Sequence, residues 1–152
     1  MLDNFPGRLL CIDHGTKFIG LATCDRIGLI ATPYKVIKRK TRQVDFEQIK
    51  AIIQKEDIAA VIVGLPPRPH DFVGTSQSDI VRKWTKRLVK QLNVPVYHWD
   101  EGLSSYDAEV TMRETLGKSQ PKRIDAHAAA VILQSFLDAL REGQPWPKPI
   151  EP

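Results

Sequence analysis

The chain has 152 residues, which points to one domain, and a chain of this size buries roughly 70% of its unfolded surface. Hydrophobic residues make up 42% and charged residues 26%, the proportions of an ordinary soluble globular protein. The net charge of +4 permits a polyanionic partner without requiring one, and no apolar run is long enough for a membrane span or a signal peptide.

The stretch "RLLCID" (8–13) reads as a first strand. "KFIGLATCD" (17–25) reads as its hairpin partner, with Gly15 in the turn. A tight turn at His14–Thr16 sets Cys11 opposite Ile19 and carries Cys24 far down the second strand. That spacing argues against a disulfide, and two reduced thiols fit a cytoplasmic protein. "LIATPYKVIKR" (29–39) is a third strand, which Pro33 assigns to an edge or a bulge. Three strands joined by short turns make an antiparallel meander.

Over 43–55 the period changes, and Phe46, Ile49, Ile52 and Ile53 form one helical stripe. "IAAVIVG" (58–64) is apolar throughout, as in a strand covered on both faces. A proline-rich loop (65–74) precedes a helix whose stripe is Ile80, Val81, Trp84, Leu88 and Leu92, with Ser76 and Asp79 spaced as a capping box. "VPVYHWDE" (94–101) is a fifth strand. A short helix is expected over 104–115, a loop over 117–122, and a long helix from Arg123 to about Arg141. Residues 1–142 then form a single domain, and 143–152 a loose, proline-rich tail. The order predicts an α/β fold: a mixed five-stranded sheet, three antiparallel strands then two parallel ones, with helices on both faces. Sites in such sheets form where the strands' carboxyl ends open into a crevice.

Three of the eighteen acidic residues stand where burial makes a carboxylate costly. Asp13 ends the first strand and Glu101 the fifth. Asp125 opens the last helix, and its helical neighbours Ala128, Ala129, Ile132 and Phe136 turn it toward the core. Each has a plain structural role open to it: a turn for Asp13, a solvated strand end for Glu101, a helix-dipole partner for Asp125. Together at one end of one sheet they favour a bound hard cation, and an all-oxygen donor set favours Mg²⁺ or Mn²⁺ over zinc.

The blocks "IDHGTKFIGLATCD", "VIVGLPP", "HWDEGLSS" and "IDAHAAAVILQSFLD" resemble, in order and spacing, the four signature blocks of the YqgF/RuvX family. The resemblance runs from about Arg8 to Leu140. It implies an RNase H-like fold and a nuclease associated with pre-16S rRNA 5′-end processing or with Holliday junction resolution. The family's acidic triad falls on Asp13, Glu101 and Asp125. Gly102 and Phe18 stand where the family usually carries arginine, and the loop from Pro66 to Gly74 lacks the family's "NMDG" wording.

The implied reaction is phosphodiester hydrolysis with two ions roughly 4 Å apart, Asp13 bridging them and Glu101 and Asp125 each completing one set. The expected substrate is structured RNA (pre-16S rRNA) or branched DNA, with no membrane partner, and the protein is a monomer or a weak dimer. Lys17, Lys118, Lys122 and Arg123 flank the acids and suit phosphate contacts. Gly74 and Thr75 at a helix start could hold a phosphate, although an N-cap explains them as well. "KVIKRKTR" (35–42) sets five basic residues in eight positions, as a lysine-protected edge strand or a nucleic-acid contact would. His14 and His98 lie near the site as bystanders; Trp84 belongs to a core stripe, while Trp99 either packs or stacks on a base. Two other readings compete. Asp-x-Gly-Thr also opens the phosphate loop of actin-like ATPases, but those need two such domains. A non-catalytic nucleic-acid or ribosome-assembly module on the same fold is the other.

Overall fold

The computed structural model describes residues 4–67, 74–100 and 121–152, with residues 121–124 by backbone alone. Three strands come first: β1 (Leu9–His14), β2 (Phe18–Cys24) and β3 (Ala31–Lys38). Helix α1 (Arg42–Lys55), β4 (Ala60–Leu65), α2 (Gln77–Val89), β5 (Val96–Asp100) and α3 (Pro121–Arg141) follow. The sheet has the order β3-β2-β1-β4-β5. β1–β2 and β2–β3 are antiparallel, whereas β1–β4 and β4–β5 are parallel. This is the mixed five-stranded sheet expected from the sequence.

The period-2 alternation of β1 sorts its side chains onto two cores. Leu10 and Ile12 join Phe46, Ile49 and Ile52 of α1 and Val81, Trp84 and Leu88 of α2. Leu9 and Cys11 join Ala129, Ile132, Leu133, Phe136 and Leu137 of α3. β4 is buried at all of its positions because both layers cover it.

Several boundaries differ from the expectation for local reasons. The β1–β2 turn closes through Gly15 N–H donating to the Phe18 carbonyl (2.9 Å), and His14 pairs with Ile19. Cys11 therefore faces Ala22 rather than Ile19, and both cysteines are buried and in no disulfide. β3 starts at Ala31, not 29, because the Asp25 carboxylate captures the amides of Leu29 (2.9 Å) and Ile30 (2.8 Å). Pro33 sits beside a register shift on this edge strand, so it marks edge and bulge together.

In α2 the capping box forms: Asp79 N–H donates to Ser76 Oγ (3.1 Å) and Ser76 N–H to Asp79 Oδ2 (3.0 Å). Ile80, assigned to the core stripe, is instead 44% exposed, and Leu92 packs on the core from beyond the helix end. α3 begins at Pro121, two residues early, since proline is well suited to a first helical turn. Asp125 consequently lies in the second turn; of the loop expected over 117–122, residues 121–122 are helical and the rest lies outside the described residues. The helix expected over 104–115 lies outside the described residues.

The C-terminal segment is docked, not loose. Trp146 packs against Tyr97 and Phe136, each with ring centroids 5.1 Å away, and against Phe5 at 6.2 Å. Ile150 N–H donates to the Val96 carbonyl (2.8 Å), and its side chain reaches the other core. The segment thus straps the free edge of β5. Trp146→Ala should lower stability by about 2–4 kcal/mol, a partly buried aromatic falling near the bottom of the usual range; urea denaturation measures it.

Candidate active site

β1, β4 and β5 run parallel, so their carboxyl ends lie at one rim of the sheet. Asp13 sits there. It continues the Leu9–Cys11 series, which places it on the face covered by α3, and it is half-buried. Its cross-strand partner is Gly20. Gly20 shares that face with Ala22 and Cys24 two and four residues on. A Cβ added at Gly20 would run into the main chain of Asp125 and Ala126. The bare glycine therefore lets α3 lie directly on β2 at Asp125, beside the rung that holds Asp13.

Asp125 is half-buried, and Ala128, Ala129, Ile132 and Phe136 along its helical stripe are buried, as the spacing predicts. Two of the three expected acids are thus brought to one face of one rim. Glu101 is the residue after Asp100, where β5 ends, and lies outside the described residues, as do Gly102 and Lys118. Among the described residues no group of three potential metal ligands gathers. The donors near this corner nevertheless suit a hard cation. His14 is on the opposite face, packed on Trp84 at 4.7 Å. Cys11 is one pleat deeper and fully buried. The available donors are carboxylate oxygens, the set that favours Mg²⁺ or Mn²⁺.

The remaining expected residues divide. Lys17 is exposed at the hairpin turn. Lys122 and Arg123 fall in the first turn of α3, and their side chains lie outside the described set. Gly74 and Thr75 are exposed ahead of α2, whose capping box is made by Ser76 and Asp79. Trp99 packs: its ring lies edge-on to Phe136 at 5.2 Å and its Nε1 donates to Ser135 Oγ (3.3 Å). Trp84 is buried as expected.

Three residues that sequence reading did not single out shape the site. One is Gly20, whose signal was a glycine in the interior of an apolar strand. The others are Arg39 and Asp45. Arg39 Nη1 donates to the carbonyls of Gly15 (3.1 Å) and Thr16 (3.4 Å), and its main-chain N–H donates to the Lys17 carbonyl (2.9 Å). Asp45, fully buried, lies 3.8 Å from Arg39 Nε and accepts from Lys40 N–H (3.0 Å). This pair pins the hairpin tip that follows Asp13. Burial, then the positive charge of Arg39, lowers the His14 pKa to about 4 against a weaker opposing pull from Asp45. Burial and Arg82 likewise lower His98 to about 4, so both rings are neutral near pH 7.

A model of the family described as "RuvX: Holliday junction resolvase" matches residues 7–139. The chain belongs to the RuvX family. It is 40% identical over 134 residues to a Trichormus variabilis protein named "Putative pre-16S rRNA nuclease", covering 87% of this chain and 88% of that one. A relative of the same name from Thermoanaerobacter pseudethanolicus is 36% identical over 135 residues, covering 87% and 96%. Among solved structures, Thermus thermophilus RuvC in complex with a Holliday junction substrate superposes with TM-score 0.58 at 20% identity, covering 94% of this chain and 99% of that one. The yeast mitochondrial Holliday junction resolvase gives 0.54 at 10% identity, covering 91% and 82%. These two likenesses establish a RuvC-like, RNase H-like fold for this RuvX member.

Two measurements probe the site's packing. Gly20→Ala should cost about 1–3 kcal/mol, because the obstacle is helix backbone rather than a flexible side chain; the urea midpoint reads it. Below pH 6.5 the unfolded chain protonates His14 while the folded chain resists until about pH 4. Stability is therefore full above pH 6.5 and falls as the pH drops toward 4, by up to about 3 kcal/mol from this residue. In thermal melts, His14→Phe should flatten that fall, leaving the share due to His98.

Proposed function

We propose that this protein is a divalent-metal-dependent nuclease that hydrolyses phosphodiester bonds, with the 5′ end of pre-16S rRNA as its substrate. The observation that supports the reading is that Asp13 pairs with Gly20 and the main chain of Asp125 lies against that same Gly20, at the carboxyl rim of the sheet. Glu101 is proposed as the third acid of the set. The names of relatives 33–40% identical over most of the chain support rRNA as the substrate.

Asp13, Glu101 and Asp125 would hold the ions, two of Mg²⁺ or Mn²⁺, which when bound acidify a water and stabilise the leaving oxygen. The residues of the chain supply placement. β1 fixes Asp13 from below, Gly20 fixes the depth of α3 and with it Asp125, and the Arg39–Asp45 pair holds the hairpin tip. Lys17, Lys118, Lys122 and Arg123 are proposed to contact phosphates; Gly74 and Thr75 would add backbone donors at the start of α2. His14 and His98 remain neutral bystanders. In this reading the protein works in the cytoplasm as a monomer or weak dimer; no described helix is long and apolar enough to cross a membrane.

The description of the family as Holliday junction resolvases favours a second reading, cleavage of four-way DNA junctions. Incubating the protein with Mg²⁺ or Mn²⁺ and either precursor rRNA or a four-way junction separates the two. Cleavage of the rRNA precursor alone is expected. Asp13→Asn should reduce it to the level of a metal-free control with the unfolding midpoint preserved. Full activity in that variant would remove Asp13 from the mechanism.

A further inference from the structure

The basic run at 35–42 is divided by the fold into parts with different roles. Arg39 is engaged by Asp45 and by the hairpin carbonyls. Lys38, Lys40 and Arg42 are exposed, and so is Lys17, whose carbonyl accepts from Arg39 N–H at 2.9 Å. Among the described residues none of these four forms an ion pair.

Register gives their position relative to the acids. Asp13 pairs with Gly20, and Gly20 pairs with Val36. Lys38 pairs with Phe18, two residues beyond that row, and so returns to the same face as Asp13. β3 is parallel to β1, being antiparallel to β2, so Lys38 is at the carboxyl rim. With strands about 4.8 Å apart and about 3.3 Å of rise per residue, the Cα atoms of Asp13 and Lys38 are about 12 Å apart. Lys38 thus extends the rim on the β3 side of the acidic corner, and Lys40 and Arg42 follow it in the chain to the start of α1.

We propose that Lys17, Lys38, Lys40 and Arg42 form an anion track that holds the sugar-phosphate backbone of the substrate next to Asp13. The inference rests on the nuclease reading for the identity of its ligand. Unpaired surface cations spaced along one rim neutralise successive phosphates and release counterions, a contact that positions a strand without reading its bases.

The test uses the full chain and fluorescence anisotropy with two probes, a labelled single-stranded RNA oligonucleotide and a labelled four-way DNA junction. The track variant combines Lys17→Gln, Lys38→Gln and Lys40→Gln, and leaves Arg42 in place to keep the first turn of α1 intact. A charge-matched variant, Arg82→Gln with Lys83→Gln and Lys86→Gln, alters the exposed face of α2 instead. The track variant should bind the RNA at least about tenfold more weakly near 0.15 M salt, with a log–log salt slope shallower by about 2. The α2 variant should keep most of both. Equal losses in the two variants, or no loss in the track variant, would overturn the track. Loss for one probe only identifies which nucleic acid the track serves. Binding requires no cleavage, so a protein that binds through the track but cuts neither probe's parent substrate defeats the nuclease reading and leaves the track standing. A protein that cuts while the track variant binds normally does the reverse.

Discussion

The geometry of this protein depends on one close approach, between the main chain of α3 at Asp125 and the bare backbone of β2 at Gly20. A helix normally stands about 10 Å from the sheet it covers, held off by side chains from both layers. Here one layer of side chain is missing at a single point. The helix dips there, and the dip occurs on the rung where β1 contributes Asp13. The main-chain positions of Asp13 and Asp125 are therefore related through backbone contact at Gly20. Backbone contacts are stiff, and interiors packed at crystal-like density deform little.

The hairpin tip is secured from the other side. Asp45 is a fully buried acid at the start of α1, and a buried charge is costly unless it is paired and hydrogen-bonded. Arg39 and the Lys40 amide supply that pairing. The same guanidinium ties down the Gly15 and Thr16 carbonyls. Arg39 is thus the one member of the basic run whose side chain, among the described residues, has an internal partner, which leaves the flanking lysine side chains free for solvent or for a ligand. The nearby positive charge also helps to keep His14 neutral, adding to the effect of burial. The ring packs against Trp84 under the rim.

The far edge of the sheet is managed by the C-terminal segment. Trp146 fills the aromatic cluster on the α3 side and Ile150 closes on the opposite core, with one ladder-like hydrogen bond to β5 between them. An edge strand left bare invites pairing with other chains. The strap removes that hazard from the strand that leads to Glu101, while β3 protects its own edge with lysines and a proline-associated bulge.

Much of this was legible in the sequence. The five strands, the three described helices, the capping box at Ser76 and the inward stripe below Asp125 follow from periodicity and capping chemistry, which are local. The blocks around Asp13, Glu101 and Asp125 pointed to the family. The helix start at Pro121 and the Cys11–Ala22 pairing turn on local proline and turn chemistry that the periodicity does not register. Local patterns did not reveal the docked tail, because it is settled by contacts of Trp146 and Ile150 with segments distant in the chain. Gly20, Arg39 and Asp45 belong to the same class: as letters they are a weak strand residue, one cation in a run and one acid among eighteen. The sequence by itself determined which residues are apolar with which period, and so which elements form and which face each one buries. Only the tertiary structure decided how closely the layers meet, because that depends on the absence of a side chain on one element beneath the backbone of another about a hundred residues away.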